Sequence, residues 1–384
     1  NIGNITFGDL DVSVRESGDF SGSFDVSAAD GAIGDVQFGN IALAAAMSAS
    51  ADFYISMSGE TAIGDVTVGD VSLSAIGDNA DVTFSLTVEN DGSGTIGAVT
   101  VGDVLMQVDG QGADAFMFVS ASSAWSAGVM TIGNLDMSVD NPATSGFAYV
   151  TFDATNDLGD LVIGNIDMST SSLQATGNTN EVRGYVTGDA NGDLTVGDVT
   201  VSGGDGAVDN FATLTGWLSL TAGGDITIGN VDYSGYGAEA TIDVSGYRGA
   251  AEIAGSAYDD VITDNSGTNA VTGNDGADRF VFVDSNTGQT ETTLDQIMDF
   301  NNAGGDKIDL TPVVNVGNYS EGTYADFAAY TTAAAAADKV VFAGEVGGVD
   351  GVILAVDFNN DTNVDFMIQL VGVDLGGVDV ASFV

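Results

Sequence analysis

The chain has no cysteine, no histidine and two prolines, and it sets six lysines and arginines against 56 acids in 384 residues. Without cysteine there is no disulfide framework and no thiolate metal site. Without histidine the commonest general base and transition-metal ligand are missing, and every Ser-His-Asp or Cys-His arrangement is excluded. The cations are Arg15, Arg183, Arg248, Arg279, Lys307 and Lys339, which leaves a formal charge of −50. Such a polyanion does not bind nucleic acid or anionic lipid through its charge. It is expected to gather divalent cations, which relieve the repulsion between crowded carboxylates. No apolar run reaches the roughly 18 residues that a membrane-spanning helix needs. The numbering opens at Asn1, inside a repeat, with neither an initiator Met nor a signal peptide, so processing or an upstream segment is expected.

What the chain has in abundance is repetition. A phrase of Gly, any residue, an aliphatic (once Met), any residue, an apolar residue and then Gly-Asp or Gly-Asn occurs eight times, beginning at Gly3, Gly34, Gly64, Gly97, Gly128, Gly159, Gly192 and Gly224. The copies recur every 30 to 33 residues. A period of this size marks a repeat architecture in which each unit buries its apolar face against its neighbours. Two short alternating stretches flank each Gly-Asx, as in Val66-Thr-Val68 and Val71-Ser-Leu73, and a longer one follows, as in Asp81 to Val88. Alternation with β-branched and aromatic residues predicts strands, and the Gly, Asn, Asp and Ser between them predict turns. Three strands per unit suggest one coil of an all-β solenoid. A meander of hairpins is the rival, and the kept register at Gly-Asx favours the solenoid.

From Gly255 the period changes to nine. The blocks Gly255–Thr263, Asp264–Thr272 and Gly273–Val281 tile without a gap. They follow the pattern G-G-x-G-x-D-x-U-x, in which turn glycines and an Asp bind Ca²⁺ and the apolar residue points inward. Further on come Asp295-Gln-Ile-Met-Asp299-Phe300, Gly305-Asp-Lys-Ile-Asp-Leu310, Asp365-Phe-Met-Ile-Gln-Leu-Val-Gly372 and the apolar ending Ala381-Ser-Phe-Val384. On these motifs the last 130 or so residues resemble the calcium-binding RTX proteins. The resemblance implies Ca²⁺ as cofactor and a C-terminal secretion signal read by a type I exporter. Surface-layer and adhesin proteins with such a tail tend to carry an Ala-rich helix, and Tyr324 to Lys339 fits one. The expected organisation is a β-repeat array over 1–252, a calcium-binding nonapeptide segment over 253–283 and a β-rich C-terminal domain with one helix over 284–384.

Ca²⁺ takes six to eight oxygens, and stacked turns supply carboxylates and carbonyls at one spacing. Asp260 and Asp278 are the principal candidate ligands, with Asp259, Asp264, Asn269, Asn274 and Asp275 beside them; acidic surface turns are the alternative. A second candidate, Asp357, Asn359, Asp361, Asn363 and Asp365, echoes an EF-hand loop. Thr362 stands at that loop's Gly position and Ile368 where its bidentate Glu belongs, so an Asx-rich hairpin is the competing reading. Under solenoid stacking Asp9, Asn40, Asp70, Asp103, Asn134, Asn165, Asp198 and Asn230 form one line, expected to be a hydrogen-bonded Asx ladder without metal. Beside it runs a row of Thr interrupted by Gln37 and Val162. Such a row can order ice, but Thr is also an ordinary outward strand residue.

Asn1, Ile2, Gly3, Asn4 and Ile5 enter the first coil at once, with nothing to close it. Solenoid ends need caps because open strand edges recruit other strands. This end is expected to accept another copy head to tail, an unseen upstream cap being the competing explanation. Acids everywhere make no particular catalytic pair meaningful, and the array has only Arg15, Arg183 and Arg248 to meet a polyuronate, so no enzyme is expected. The expected protein is a bacterial extracellular one, a calcium-stabilised structural element of a filament or surface layer. A calcium-dependent adhesin that binds glycan or a surface is the alternative, ahead of a polysaccharide-acting enzyme or an ice-binding protein.

Overall fold

A computed structural model describes residues 1–123, 126–140, 146–154, 159–170, 182–204, 212–248, 252–265, 267–282, 293–310, 319–336, 341–357 and 364–384. The chain forms two compact units, Asn1–Thr227 and Ile228–Val384.

The first unit is a β-solenoid, and its strands pair in parallel from one coil to the next. The Gly-flanked strands Val66–Val68, Val99–Val101 and Met130–Ile132 stack in register, Thr67 over Thr100 over Thr131. After Gly-Asx come Ile41–Ala46, Val71–Ile76, Val104–Asp109 and their equivalents, again in register. The longest strands, Ser50–Gly59, Asp81–Asn90 and Asp114–Ser123, form a third parallel ladder. Parallel pairing at one-coil separation excludes the meander, because hairpins would pair neighbouring strands antiparallel. A coil also holds a strand too short to announce itself by alternation, at Ala32–Ile33, Ala62–Ile63, Thr95–Ile96 and Ser126–Ala127.

Alternation sends every second residue inward. In the third coil Val66, Val71, Leu73, Val82, Phe84, Leu86 and Val88 are all buried. Apolar area of this kind contributes about 25 cal/mol per Å² removed from water, and here each coil supplies it to the next. The first coil differs. Its strands Ile5–Thr6, Leu10–Arg15 and Asp19–Ala28 each pair on one side only among the described residues. Its inward-pointing Ile5, Leu10, Val12, Val14, Phe20 and Phe24 are half-buried, and Phe7 is 39% exposed. Phe7, Phe24 and Phe38 make a three-ring cluster at this end, with centroids 4.4 to 5.2 Å apart.

The second unit opens with two parallel ladders facing each other. Thr241–Asp243, Val261–Thr263, Arg279–Val281 and Lys307–Asp309 form one, and Val231–Tyr236, Glu252–Ala254, Ala270–Thr272 and Asp295–Ile297 the other. The apolar nonapeptide positions Ile262, Val271 and Phe280 point between them, buried with Ile242, Ile253, Ile297 and Ile308. The second ladder continues through Phe366–Leu370 into antiparallel Val352–Val356 and Val341–Val346, then Tyr319–Tyr324. The Ala-rich helix runs over Phe327–Ala336, shorter than expected, since Tyr324 pairs with Val346 as a strand residue. Tyr330 anchors it with its hydroxyl 2.7 Å from Phe342 O and 2.9 Å from Ile353 O, its single proton shared between the two carbonyls.

Candidate metal centre

The turns at the two rims of the nonapeptide roll hold the acids. On one rim Asp260, Asp278 and Asp306 stack in a column, all buried. Each carboxylate caps the rung before it. Asp260 Oδ1 accepts the Ala240 N–H at 2.6 Å, Asp278 Oδ1 the Asp260 N–H at 2.9 Å and Asp306 Oδ1 the Asp278 N–H at 3.0 Å. Asp260 Oδ2 also accepts the Ser256 N–H at 2.6 Å, whereas Asp278 Oδ2 is buried with no hydrogen-bond partner. The glycine opening each block makes room here. A Cβ on Gly273 would collide with Asp278 Oδ2, and one on Gly255 would lie 2.5 Å from Asp260 Oδ2 and 2.9 Å from Gly273 O. These are cradles rimmed by carboxylate and carbonyl oxygen. Asp259 sits outside the column, accepting the Ala277 N–H at 2.8 Å.

The opposite rim differs because its block begins with Asp264 in place of glycine. Asp264, Asn265, Asn269 and Asp295 are buried together. Asn269 donates from its amide to both Asp264 Oδ1 and Asn265 Oδ1, and its backbone N–H reaches Asp295 Oδ1 at 2.8 Å. Asp264 Oδ2 and Asp295 Oδ2 are left buried without partners. Nearby, Asn274, Asp275 and Asp299 line an open cleft with Ser234 and Ser256. There Asp299 accepts the Gly273 and Asn274 N–H groups at 2.9 and 2.7 Å, and Asn274 donates to Gly255 O.

Burial dominates the electrostatics. It raises Asp260 and Asp306, and it pushes Asp278 up to about 7, with the Asp306, Asp260 and Asp299 charges adding to the effect. Asp295 rises to about 7 through burial, and Asp264 goes well above its usual range through burial and the charge of Asp295. Buried carboxylates with unpaired oxygens call for a proton or a cation. The donor set is all oxygen, as Ca²⁺ requires. Among the described residues no three carboxylates converge into one cluster. An ion in the first rim would therefore be held by Asp260, Asp278 and backbone carbonyls such as Gly273 O, and on the second rim by Asp264 and Asp295.

The predicted ligands are thus spread over two rims and a cleft. Asn265, Asp295, Asp299 and Asp306 also belong to these sites. The last three stand in the Asp-x-Ile-x-Asp-Phe and Gly-Asp-Lys motifs, which sequence reading used only for the resemblance. Asp357 and Asp365 bracket the connection between antiparallel Val352–Val356 and Phe366–Leu370, as a hairpin would place them. Asn359, Asp361 and Asn363 lie outside the described residues.

In the array the Gly-Asx line is a hydrogen-bonded ladder, as expected. Asp9 Oδ1 accepts the Asn40 N–H at 2.8 Å, Asn40 Oδ1 the Asp70 N–H at 3.0 Å, and the relay continues to Asp198. It explains the invariant glycine, because a Cβ on Gly39 would collide with Asp9 Oδ1 crossing above it. A second ladder follows the first glycine of each phrase. Asn4 Oδ1 accepts the Asp35 N–H, Asp35 Oδ1 the Asp65 N–H and Asp65 Oδ1 the Ala98 N–H, and after a break Asp160 Oδ1 accepts the Asp193 N–H and Asp193 Oδ1 the Asp225 N–H. At the first coil Asn1 Oδ1 accepts the Ala32 N–H, Ile2 bridges Ile33, and the Ile5 N–H donates to Asp35 O. A Cβ on Gly3 would meet nothing within 4 Å.

Residues 215–381 match the family described as peptidase M10 serralysin C terminal. No curated protein matches the chain. The chain therefore carries a serralysin-type C-terminal domain, a region associated with RTX repeats and type I secretion. That domain implies the type I secretion machinery as a partner and an extracellular destination, and its context suggests calcium binding. No helix among the described residues is long and apolar enough to cross a membrane.

Proposed function

We propose that this secreted solenoid is a non-enzymatic structural protein whose copies join head to tail into an extracellular filament or surface layer stabilised by Ca²⁺. A sheet edge in the second unit carries the reading, because unpaired strand edges are a template for further strands. In the second unit Tyr319–Tyr324 is the last strand of its sheet, paired with Val341–Val346 alone among the described residues. That edge laid against a different ladder of the next copy is a heterologous contact, which propagates without closing. Calcium supports assembly by neutralising buried acids in the roll and lowering the charge that copies of a −50 chain must overcome.

The test is negative-stain microscopy of the chain in millimolar calcium and in excess EGTA, with Thr323→Pro on the edge strand in parallel. Filaments or sheets in calcium that are absent in EGTA and with Thr323→Pro are expected. Single particles in calcium, or filaments indifferent to Thr323→Pro, would overturn the reading.

A further inference from the structure

The outer face of the longest strands carries side chains that the core does not need. Along Asp114–Ser123 the inward Ala115, Met117 and Val119 are already buried, yet the outward residues include Phe116 and Phe118. Register places Phe116 beside Tyr149, and Tyr149 beside Tyr185, on the neighbouring coils. The four rings form an unbroken half-buried chain, with centroids 6.4 Å apart for Phe116–Phe118, 5.9 Å for Phe118–Tyr149 and 6.1 Å for Tyr149–Tyr185. It runs from coil to coil, across the strands.

Hydroxyls and acids border the rings. Thr83, Ser85 and Thr87 lie beside them on one side, and Ser120, Thr151 and Thr187 continue the same columns. Asp81 and Asp114 pair at the head of their strands, and Asp153 and Asp189 pair further along. Asp52 lies near Asp81, whose carboxyl is raised by burial and then by the charge of Asp52. Burial and then the charge of Asp81 push Asp114 up to about 6, against the Phe147 N–H that it accepts. The column that holds Asp81 and Asp114 ends at Arg183, so register places one arginine against these acids on the face.

We propose that this face binds a linear polysaccharide bearing free amines, its sugar rings lying on the aromatic chain and its ammonium groups meeting the flanking carboxylates. Aromatic faces attract both apolar ring surfaces and cations. Charge complementarity selects the amine-bearing polymer, because an anionic polymer would be repelled. A peptide strand would have no backbone to pair with, since Asp114–Ser123 is already paired on both sides. A sugar chain needs only side-chain surface, which is what the face offers.

The probe is a glucosamine hexamer, titrated calorimetrically into the whole chain in calcium at 150 mM salt, against its fully N-acetylated form and a lysine hexamer. Phe116→Thr with Tyr149→Thr installs the residue that Thr83 already presents in the same column, and Phe118→Ser installs that of Ser85. Circular dichroism and melting check each fold. Binding of the amine-bearing sugar is expected to weaken about tenfold in the double variant and severalfold in Phe118→Ser. The N-acetylated form should bind at least tenfold more weakly than the amine form. Absence of binding, equal binding of the two sugars, affinity untouched by loss of the rings, or a lysine hexamer with the same ring dependence would each overturn the proposal.

Discussion

Gly39 lies under the Gly-Asx of the preceding phrase, whereas Gly246 stands in an open turn. A Cβ on Gly39 would collide with Asp9, and one on Gly246 would meet nothing within 4 Å. Gly39→Ala is therefore expected to cost about 1–3 kcal/mol and Gly246→Ala under about 0.5 kcal/mol in urea denaturation. The comparison separates the close approach from any general intolerance of alanine. Asp114 gives a second prediction. Burial and then the charge of Asp81 push its carboxyl up to about 6, above the usual aspartate value of about 4, so the fold binds the extra proton between those values. Stability from this group is complete below about pH 4 and is lost as pH rises through 6. Asp114→Asn should leave stability unchanged at pH 4 and raise it by about 1 kcal/mol at pH 8, after discounting for its partial exposure. An unfolding series from pH 4 to pH 8 on both proteins checks the sign.

At the scale of elements, the nonapeptide roll joins acids that repel to a fold that needs them stacked. Calcium is expected to raise its melting temperature, and Asp278→Asn to remove most of that rise. The same substitution should stabilise the calcium-free chain by about 2 kcal/mol at neutral pH, because a buried charge is deleted. Opposite signs in the two conditions, read by calorimetry, would separate a ligand from a structural acid. The elements also differ in how plainly the sequence displays them. Period, Gly-Asx register and the long strands are legible because alternation over ten residues, as in Asp81–Asn90, has no helical reading. Ala32–Ile33 is too short to alternate. The second ladder was hidden because Ala98 and Val129 interrupt it, making its position look variable. Asp295, Asp299 and Asp306 escaped because their partners in the roll lie some 20 to 30 residues back, as in Asp278 to Asp306. Only stacking reveals that distance as adjacency, and periodicity cannot report the direction of pairing that separates a solenoid from a meander.

For the whole molecule, 56 acids against six cations make self-repulsion a global term. In EGTA, raising sodium chloride from 10 to 300 mM is expected to raise the melting temperature steadily, since the screening length falls from about 30 Å to well below 10 Å. Calcium should do the same at concentrations at least tenfold lower, because it binds rather than screens. Identical dose dependence for the two salts in differential scanning fluorimetry would argue against specific sites. The ladders of the array lie along the solenoid axis, so traction on its ends loads an entire coil-to-coil seam at once. Rupture should then proceed one coil at a time, each giving up its 30 to 33 residues. Optical-trap extension would register this as a sawtooth with steps of about 100 Å, set by roughly 3.3–3.6 Å of chain per residue. A thread built this way dissipates work in equal quanta, and the length of the repeat fixes the stride.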